Sequence, residues 1–582
     1  MKTDVQNPLN WSRWIILLVA WTLLWTRNSP AGVLFPLTTP LPRNITSPAH
    51  SLLLSDGRVL VQRGGGSNWM FLLPDNQGHY IDGTWDTNCA PMNYQRHYYS
   101  SDVLTDGRVF IAGGEYNNDD GTNADGTGAH FGRPAGATAE IFDPQANGGT
   151  GSWTFINPPA ALMDTNTGGF FDSESVLLPD GTVLVAPVFP VPDSDTLIYN
   201  PFTNGWALGP DTLLGGQDEA SWLKLPDDSI LTIDHKGIYQ TNSERYIPSL
   251  GVWIQEANVP GDLYSTNGEI GAALLLTNGT ALFFGGSQSN TSAIFTPSPL
   301  GGTNTGSWAP GPVLPGGLVM RDAPSCILNN GKVLLTLVTP YQDDPRYIYE
   351  FDPTTQAFNS LSTNSAGNSD GSSMLALPDG NVLVLDGNTS VYIYEPDPSP
   401  LTMGQPVIQS VTYNADGSLH LSGRLLNGIS QGAMYGDDQQ QDSNYPLVRF
   451  TDGSGNVTYG RTYNWSSTSV MTGTKTITAE CAVPTNILYS TPGTSYSLQV
   501  VANGNASAPV AYYGPVWVDF NYNPLSPQSG TFDNPYSTLA QGTNAVPTHG
   551  TILIKPGHSP EHLAIAKIMT ISAVGGTATV GH

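Results

Sequence analysis

A pattern of two apolar strands joined by a polar turn recurs seven times along the chain. The turn residues are separated by 50, 74, 47, 51, 52 and 49 positions, and they are Asp56, Asp106, Asp180, Asp227, Asn278, Asn330 and Asp379. Most of them precede a glycine, and Asp-Gly or Asn-Gly pairs favour two-residue hairpin turns in which both central residues have positive φ. The pattern therefore predicts seven β-hairpins in regular succession.

A second half follows each hairpin in most of the repeats. A third apolar strand, such as AEIFDP at Ala139 or SAIFTP at Ser292, is followed by a bulky residue such as Trp153 or Trp308. Repeats of about 40–50 residues with several short strands are typical of a β-propeller with four-stranded blades. The seventh repeat has no matching fourth strand, and a closed ring leaves no edge exposed. We therefore expect residues 33–46 to complete the last blade.

The repeats resemble a known family. QRHYYSSDVLTDGRVFIAGG, which begins at Gln95, and the LPDG hairpins are similar to blades of the kelch-type propeller of galactose oxidase and glyoxal oxidase. The segment from Gln405 to Pro515 resembles the C-terminal immunoglobulin-like (early set) domain of that family. The resemblance covers residues 33–515. It implies an all-β protein in which a seven-bladed kelch-type β-propeller is followed by an immunoglobulin-like β-sandwich.

The resemblance also implies a copper site formed by two Tyr and two His, with one Tyr cross-linked to a Cys. Tyr98 matches the cross-linked Tyr, but the segment expected to carry the Cys is Ser47-Pro48-Ala49-His50. Asp370-Gly371 occupies the place of a Tyr-His pair, and residues 433–447 lack the expected His. We therefore expect an oxidase-like scaffold without the copper-radical site, and we do not expect copper as a cofactor.

Polar residues cluster just before each hairpin repeat, where the innermost strand of a blade begins beside the central channel. These candidate mouth residues are His50, Arg96, His97, Tyr98, Asp172, Glu174, Asp218, Glu219, Glu269, Arg321, Asp322 and Asp370. Crowded carboxylates repel one another unless a cation or an arginine lies between them. One hypothesis is a site for a polar ligand or a cation, either Ca²⁺ on oxygen ligands or a transition metal on His50 and His97. The alternative is a water-filled channel whose lining residues pair with each other; no cofactor is required in that case.

The two ends of the chain suggest separate modules. Residues 1–31 contain the apolar run WIILLVAWTLLW, which is typical of a signal peptide and short for a bilayer span of about 20 residues; a retained anchor is the alternative. From Val516 the chain resembles the first coils of a right-handed parallel β-helix, with a short helix to Val546 and strands TILIKPG, LAIAK, MTISAVGG and TATVGH. An open strand edge there predicts self-association or attachment to a partner. The predicted divisions are 1–31, 32–400 (propeller), 401–515 (sandwich) and 516–582.

Composition narrows the function. The formal net charge of −27 argues against nucleic acid, and against a membrane partner beyond the N-terminal segment. The three cysteines, Cys89, Cys326 and Cys481, give no disulfide framework. We expect a secreted or cell-surface protein that binds a glycan or another polar extracellular ligand without redox chemistry. The alternatives are a carbohydrate-active oxidase or hydrolase with a rearranged metal site, and a structural subunit of an extracellular sheath or fibre.

Overall fold

The structure is a computed structural model that describes residues 31–581 except 44, 46, 47, 65, 115–136, 163–168, 171, 172, 187–194, 214–216, 218, 219, 234–240, 264–269, 287–289, 322, 341, 343, 344, 362–370 and 433–442. Its strands form seven four-stranded antiparallel sheets, one larger antiparallel sheet and two small parallel ladders. No helix in these ranges is long and apolar enough to cross a membrane. The predicted all-β fold with a seven-bladed propeller is confirmed.

The blades follow one another along the chain, and their first strands are innermost, because first strands of adjacent blades contact one another. After β1 (Val33–Pro36), blade one contains β2 (Pro48–Leu53), β3 (Val59–Arg63), β4 (Trp69–Leu73) and β5 (Thr84–Asp86). Blade two contains β6 (Ser100–Val103), β7 (Val109–Ala112), β8 (Ala139–Asp143) and β9 (Ser152–Phe155), and blade three contains β10 (Ser175–Leu177), β11 (Val183–Val185), β12 (Leu197–Asn200) and β13 (Gly205–Leu208). Blade four contains β14 (Leu223–Lys224), β15 (Ile230–Ile233), β16 (Ser243–Ile247) and β17 (Val252–Gln255), and blade five contains β18 (Ala273–Leu275), β19 (Ala281–Phe284), β20 (Ser292–Thr296) and β21 (Ser307–Pro310). Blade six contains β22 (Ser325–Ile327), β23 (Val333–Val338), β24 (Arg346–Asp352) and β25 (Ala357–Ser360), and blade seven contains β26 (Ser373–Ala376), β27 (Val382–Leu385) and β28 (Val391–Glu395).

The N-terminal strand closes the ring. β1 lies antiparallel to β28, with Val33 opposite Glu395 and Pro36 opposite Tyr392, and supplies the fourth strand of blade seven. The expectation that residues ahead of the first hairpin complete the last blade is confirmed. Every propeller sheet therefore has four strands.

The hairpin turns have a different geometry from the one predicted. In blade one the Gly57 amide donates to the Leu54 carbonyl, and the Leu54 amide donates to the Arg58 carbonyl, so the loop has three residues. Only Gly57, at φ +82°, has positive φ, while Asp56 does not. This is a type I turn followed by a left-handed residue. The turn Asp or Asn instead accepts a hydrogen bond from the amide two residues on, and the donors in the seven hairpins are Arg58, Arg108, Thr182, Ser229, Thr280, Lys332 and Asn381. The two-residue prediction was wrong because this side-chain bond fixes the turn without a second positive φ.

Aromatic pairs hold the third and fourth strands of blades two to six together. In blade two Trp153 lies directly opposite Phe142, and their ring centroids are 4.8 Å apart. The same register recurs in the next four blades with centroid distances of 5.1, 5.4, 5.1 and 4.6 Å, for the pairs Tyr199–Trp206, Tyr246–Trp253, Phe295–Trp308 and Phe351–Phe358. Such cross-strand aromatic pairs stabilise a sheet by about 0.2–1 kcal/mol each. The bulky residue after each third strand is thus a packing residue.

The second domain is an antiparallel sheet folded around its own core. Its elements are β29 (Val407–Tyr413), β30 (Leu419–Arg424), β31 (Leu447–Asp452), β32 (Val457–Tyr463), β33 (Ile477–Ala482), α1 (Thr485–Leu488), β34 (Ser495–Ala502), β35 (Asn505–Ala506) and β36 (Val510–Tyr513). The strand order is β29-β30-β33-β32-β31-β34, with β35 and β36 both pairing with β34. Side chains from both halves, including Leu421, Ile477, Phe450 and Leu498, share one buried cluster. This arrangement is compatible with the predicted sandwich.

The C-terminal module contains stacked parallel strands. β37 (Val516–Val518) pairs with β38 (Thr551–Ile554), which pairs with β40 (Thr570–Ala573), and β39 (Gly557–Ser559) pairs with β41 (Ala578–Val580). The predicted short helix is α2 (Leu539–Ala545). Two parallel ladders, in which β38 pairs with β40 and β39 with β41, fit the predicted β-helix-like coils.

One predicted strand of this module is wrong. LAIAK, residues 563–567, has no strand pairing. The segment instead lies along α2: the Glu561 carboxylate accepts hydrogen bonds from the amides of Leu539 and Ala540 at the start of the helix. Lys567 Nζ donates to carbonyls at its end, including Val546 O at 2.7 Å. Capping of both helix ends fixes the segment away from the ladder.

Candidate functional site at the propeller mouth

The two ends of the central channel differ because the second domain covers one of them. The inner strands end at their hairpins, and those hairpins contact the second domain. The Trp465 amide donates to the Thr105 carbonyl at 3.3 Å, and Thr468 Oγ1 donates to the Leu178 carbonyl at 2.9 Å. The mouth, where the inner strands begin, is the opposite end.

A buried lysine lies at the covered end. The Lys224 side chain is 1% exposed, and its ammonium donates to the carbonyls of Leu177 at 2.7 Å and Thr468 at 3.2 Å. These residues line a cavity of about 10 Å³ between the propeller and the second domain. That volume is about enough for one water molecule. A ligand as large as a sugar therefore has no room at this position.

Polar residues of the inner strands join neighbouring blades. Ser175 Oγ donates to Asp102 Oδ2 at 2.6 Å between blades three and two, and the hydroxyls of Ser51 and Ser373 lie 3.2 Å apart between blades one and seven. All four side chains belong to residues at most 1% exposed. A hydrogen-bonded buried polar group avoids the penalty of desolvation. Part of the polar character of the inner strands is therefore explained by contacts between blades.

His50 is one of these joining residues. One ring nitrogen, Nε2, lies 3.0 Å from Ser101 Oγ, and the ring packs against Tyr99 with centroids 4.9 Å apart. His50 is only 3% exposed. It links blade one to blade two at the top of the channel, with little surface left for a ligand.

Arg96 is enclosed within blade two. It is 0% exposed, and its guanidinium donates to Glu140 Oε1 from Nη2 at 2.8 Å and from Nε at 3.2 Å. Further donors reach the carbonyls of Gly113, at 2.6 Å, and Thr138, at 3.1 Å. This placement differs from the prediction that Arg96 lines the mouth. The physical reason is Glu140 on the third strand, a 0% exposed carboxylate that requires a buried counter-charge.

Gly113 shows how closely the chain packs around this ion pair. Its φ is +80°, and a Cβ at this position would lie 1.8 Å from the Phe170 carbonyl oxygen. Only glycine avoids that clash while its own carbonyl accepts from Arg96. The Gly-Gly pair at the end of β7 thus serves the enclosure of the arginine.

His97 and Tyr98 are two adjacent candidate residues that remain partly accessible. Both are half-buried, and their rings meet edge to face with centroids 4.2 Å apart. Tyr98 has φ +50°, a left-handed conformation that is uncommon for a residue other than glycine. Such conformations cost about 1–3 kcal/mol and occur often at functional sites. The residues that flank the pair, Arg96 and Tyr99, are buried and hold the backbone in place.

The other predicted mouth residues have diverse positions. Glu174 is 1% exposed and precedes β10, where its carbonyl accepts from the Ala186 amide at 3.0 Å. Arg321 is half-buried and precedes β22. The remaining six lie outside the described residues: Asp172, Asp218, Glu219, Glu269, Asp322 and Asp370. The carboxylate ring, and calcium binding by it, therefore stay predictions.

The donors around Tyr98 do not fit a copper-radical centre. Pro48, in the segment expected to carry the thiol, pairs with Arg63 in the sheet. Cys326 is buried among apolar residues of blades six and seven, and Cys481 is buried in the core of the second domain. Within the described ranges, no three His, Cys, Asp or Glu side chains are grouped closely enough to hold a metal. Of the copper-site positions that the structure describes, only Tyr98 has a suitable side chain.

The thiols of Cys326 and Cys89 are protonated and unreactive at neutral pH. Burial raises the pKa of Cys326 to about 12, and burial likewise raises the pKa of Cys89 to about 12. Because the thiolate is the reactive form, neither residue is activated at neutral pH.

Sequence patterns alone did not identify several residues that shape the site. Glu140 lies in an ordinary third-strand phrase, yet it binds Arg96 and also accepts from the amide and side chain of Asn93 at 3.0 and 2.6 Å. Gln62 accepts from Tyr99 Oη at 2.8 Å and donates to the Arg96 carbonyl at 2.7 Å. The sequence signal was a glutamate two residues before the paired aromatic of the third strand, a position that Glu244 also occupies in blade four.

Comparisons with known proteins find only remote structural similarity. No protein-family model matches the chain, and no curated protein sequence matches it. A solved structure titled as a novel fungal alcohol oxidase of the AA5 family, in complex with copper, is 13% identical with a TM-score of 0.45, covering 83% of this chain and 99% of that one. A streptogramin B lyase structure is 9% identical with a TM-score of 0.41, covering 63% and 98%. Virginiamycin B lyase from Staphylococcus aureus is 10% identical with a TM-score of 0.42, covering 62% and 99%. At these values we draw no conclusion about activity from the similarity.

Proposed function

We propose that this protein is a non-redox, glycan-binding propeller protein of the cell surface or extracellular matrix, and that sugar binds at the mouth beside blade two. The observation that carries the proposal is the accessible His97–Tyr98 pair on a strained but firmly held backbone. Catalysis by a copper radical is disfavoured because the sequence lacks the required thiol and most of the copper ligands.

Aromatic side chains continue outward from this pair. Tyr94 packs against Phe155 with centroids 5.3 Å apart, and Phe155 is 40% exposed. Tyrosine combines a flat apolar face with a polar hydroxyl, and that combination suits the C–H face and the hydroxyls of a sugar ring. The segment from Tyr94 to Tyr98 therefore offers two aromatic contacts near the channel, with backbone polar groups between them.

The segment is rigid because one carboxylate holds it at two points. Glu140 Oε2 binds Asn93, and Glu140 Oε1 binds Arg96. A binding surface that is already ordered loses less conformational entropy when a ligand binds. The buried ion pair thus supports ligand binding without touching the ligand.

A glycan array and calorimetric titration with the full-length protein would test the proposal. The informative variant is Tyr98→Asn, because asparagine tolerates the left-handed conformation better than tyrosine does. We expect its unfolding midpoint to stay unchanged or rise, while glycan affinity falls at least tenfold. Tyr513→Ala, which removes a 41% exposed tyrosine from the second domain, is the matched control and should bind as the unaltered protein does. Full glycan binding by folded Tyr98→Asn would refute the location of the site.

The redox alternative is tested separately. Copper-loaded protein should produce no hydrogen peroxide from galactose or glyoxal and show no radical absorption. Peroxide production that disappears in Tyr98→Phe would overturn the non-redox proposal.

A structural role through self-association is a second candidate, and the C-terminal module favours it. Within the described residues β40 has a ladder neighbour on one side only, and all four of its residues are exposed. Ile568 and Ile571 nearby are 65% and 38% exposed. An exposed apolar strand edge is a template for pairing with another chain.

A further inference from the structure

A second cavity lies far from the mouth, in the seam between the second domain and the hairpins of blades six and seven. Its volume is about 430 Å³, which falls within the usual range for ligand pockets of about 300–1,000 Å³. The propeller contributes Asn329 and Asp379 to its wall, and the second domain contributes Arg449, Gln499 and the turn of residues 504–509. Junctions between domains are common places for ligand sites.

Arg449 belongs to a row of three side chains across adjacent strands. It lies opposite Tyr459 of β32 on one side and opposite Gln499 of β34 on the other. Arg449 Nη2 donates to Gln499 Oε1 at 2.6 Å. Its neighbours along β31, Val448 and Phe450, are 0% exposed in the domain core. Because side chains alternate along a strand, Arg449 points away from that core and into the seam.

Among the residues that the structure describes, the guanidinium of Arg449 has no acidic partner. Among the described residues Arg449 forms no ion pair with a carboxylate, and its Nε is buried without a hydrogen-bond acceptor. Asn329 Oδ1, across the cavity, is buried without a donor. A buried polar group left unsatisfied is costly. The chain has 48 Asp and Glu against 21 Lys and Arg, so an arginine without a carboxylate is unexpected unless another acceptor completes it.

Asp379 does not fill this role because its carboxylate is engaged elsewhere. It accepts from the amides of Tyr80 and Asn381 at 3.2 Å each, and from the Asn381 side chain at 3.2 Å. Burial raises the pKa of Asp379 above its ordinary value, although these hydrogen bonds oppose the shift. A carboxylate beside Arg449 would instead lower it. The cavity therefore offers the positive charge of Arg449, while its one acidic residue, Asp379, is hydrogen-bonded to backbone amides and to Asn381.

We propose that this seam cavity binds a uronic acid residue of a glycan, with the sugar carboxylate on Arg449. Arginine binds carboxylates through parallel hydrogen bonds from its planar guanidinium, which keeps its charge at any physiological pH. The rest of the wall suits the sugar, since it offers neutral hydrogen-bonding groups for hydroxyls and flat apolar faces for the ring. The neutral polar groups are Asn329, Gln405, Gln499 and Ser507, and the flat faces are Pro378, Pro400 and Pro509. This site is distinct from the mouth, so its occupancy does not depend on the proposed function.

Calorimetric titration of the full-length protein with trigalacturonate tests the proposal. We expect saturable binding and a rise in the unfolding temperature, because a ligand that binds only the folded state stabilises it. Galactotriose, which lacks the carboxylates, should bind this site at least tenfold more weakly. Acetate should also be much weaker, since it lacks the ring. Equal binding of galactotriose or acetate would overturn the assignment to a uronate.

Variants locate the site. Arg449→Gln should lose at least tenfold in trigalacturonate affinity. Arg449→Lys keeps the charge but loses the planar guanidinium, so its affinity should lie between those of Arg449→Gln and the unaltered protein. Arg424→Gln removes an exposed charge from the same domain and is the matched control with unchanged affinity. Should Arg449 variants misfold, Asn329→Asp adds a competing carboxylate from the propeller wall and should also weaken binding. Unchanged affinity in Arg449→Gln or in Asn329→Asp would overturn the proposal, while loss only in Tyr98→Asn would place the uronate at the mouth instead.

Discussion

Substitution of Arg96 by methionine tests how much the buried ion pair of blade two contributes to the stability of the fold. Methionine has a similar length but no charge, so it leaves the Glu140 carboxylate 0% exposed without its 2.8 Å partner. The carbonyls of Gly113 and Thr138 also lose their donors. The variant therefore removes the charge and the hydrogen bonds of Arg96 while it keeps most of the side-chain packing.

The expected loss of stability is large. Removing one member of a buried pair destabilises a protein by about 3–5 kcal/mol, because the remaining charge is desolvated and unpaired. Glu140→Gln should produce a similar loss for the same reason. In the double variant both charges are absent, so its loss should be smaller than the sum of the two, with a coupling of about 1–3 kcal/mol.

Urea unfolding followed by tryptophan fluorescence provides the measurement. Arg108→Met is the matched control, since Arg108 pairs with Asp106 at 2.7 Å but the two side chains are 32% and 27% exposed. Exposed pairs contribute about 0–1 kcal/mol, so this variant should change the unfolding midpoint little. A loss below about 1 kcal/mol in Arg96→Met, or strictly additive losses in the double variant, would refute the reasoning.

Four further predictions address other parts of the molecule. Because burial raises the pKa of Asp379, the folded state binds its proton more tightly than the unfolded state does; stability should fall as the pH rises above about 4, and Asp379→Asn should remove that dependence in pH-resolved urea unfolding. If Asp379→Asn were less stable than the unaltered protein at pH 7, the ionised carboxylate would not be destabilising, and the prediction would be wrong. Thiol-specific reagents should leave Cys326 unmodified at pH 7 until the protein unfolds, and rapid labelling would show that the thiol is accessible. Calcium should raise the melting temperature, and the change of Asp172 and Asp218 together to asparagine should abolish that response; a persisting response would exclude the mouth carboxylates as ligands. Truncation after Pro515 should convert a self-associating protein into a folded monomer in sedimentation, whereas a monomeric full-length protein would exclude assembly through the C-terminal module.

Periodic features could be predicted from the sequence because each is repeated. Seven hairpins and a missing fourth strand define the blade number, and the closure by β1 follows from them. The helix α2 was also predictable. The turn geometry was not, because the hydrogen bond from the Asp56 side chain to the Arg58 amide depends on the loop conformation and not on the Asp-Gly pair alone.

Contacts between residues distant in sequence limited the prediction of the site. Arg96 precedes an inner strand, as a mouth residue would, but Glu140 lies 44 positions later and determines where the Arg96 side chain points. Likewise Arg449 shows no motif, and its position in the seam depends on how the second domain sits on the hairpins of blades six and seven. The pattern of apolar positions does not show which charged residues will contact one another. Such contacts can be identified only from the structure, where the strands that carry the residues are adjacent.

The closure of the propeller by β1 has a consequence for synthesis. Gly32 donates to the Tyr394 hydroxyl, 362 positions further along the chain. At a translation rate of about 5–20 residues per second, that partner emerges roughly 20–70 s after the closing strand. During this interval the strand has no neighbour, and blade seven cannot form until nearly 400 residues have left the ribosome. The first strand of the propeller to be made is thus the last to pair, and a chaperone has roughly 20–70 s in which to hold it.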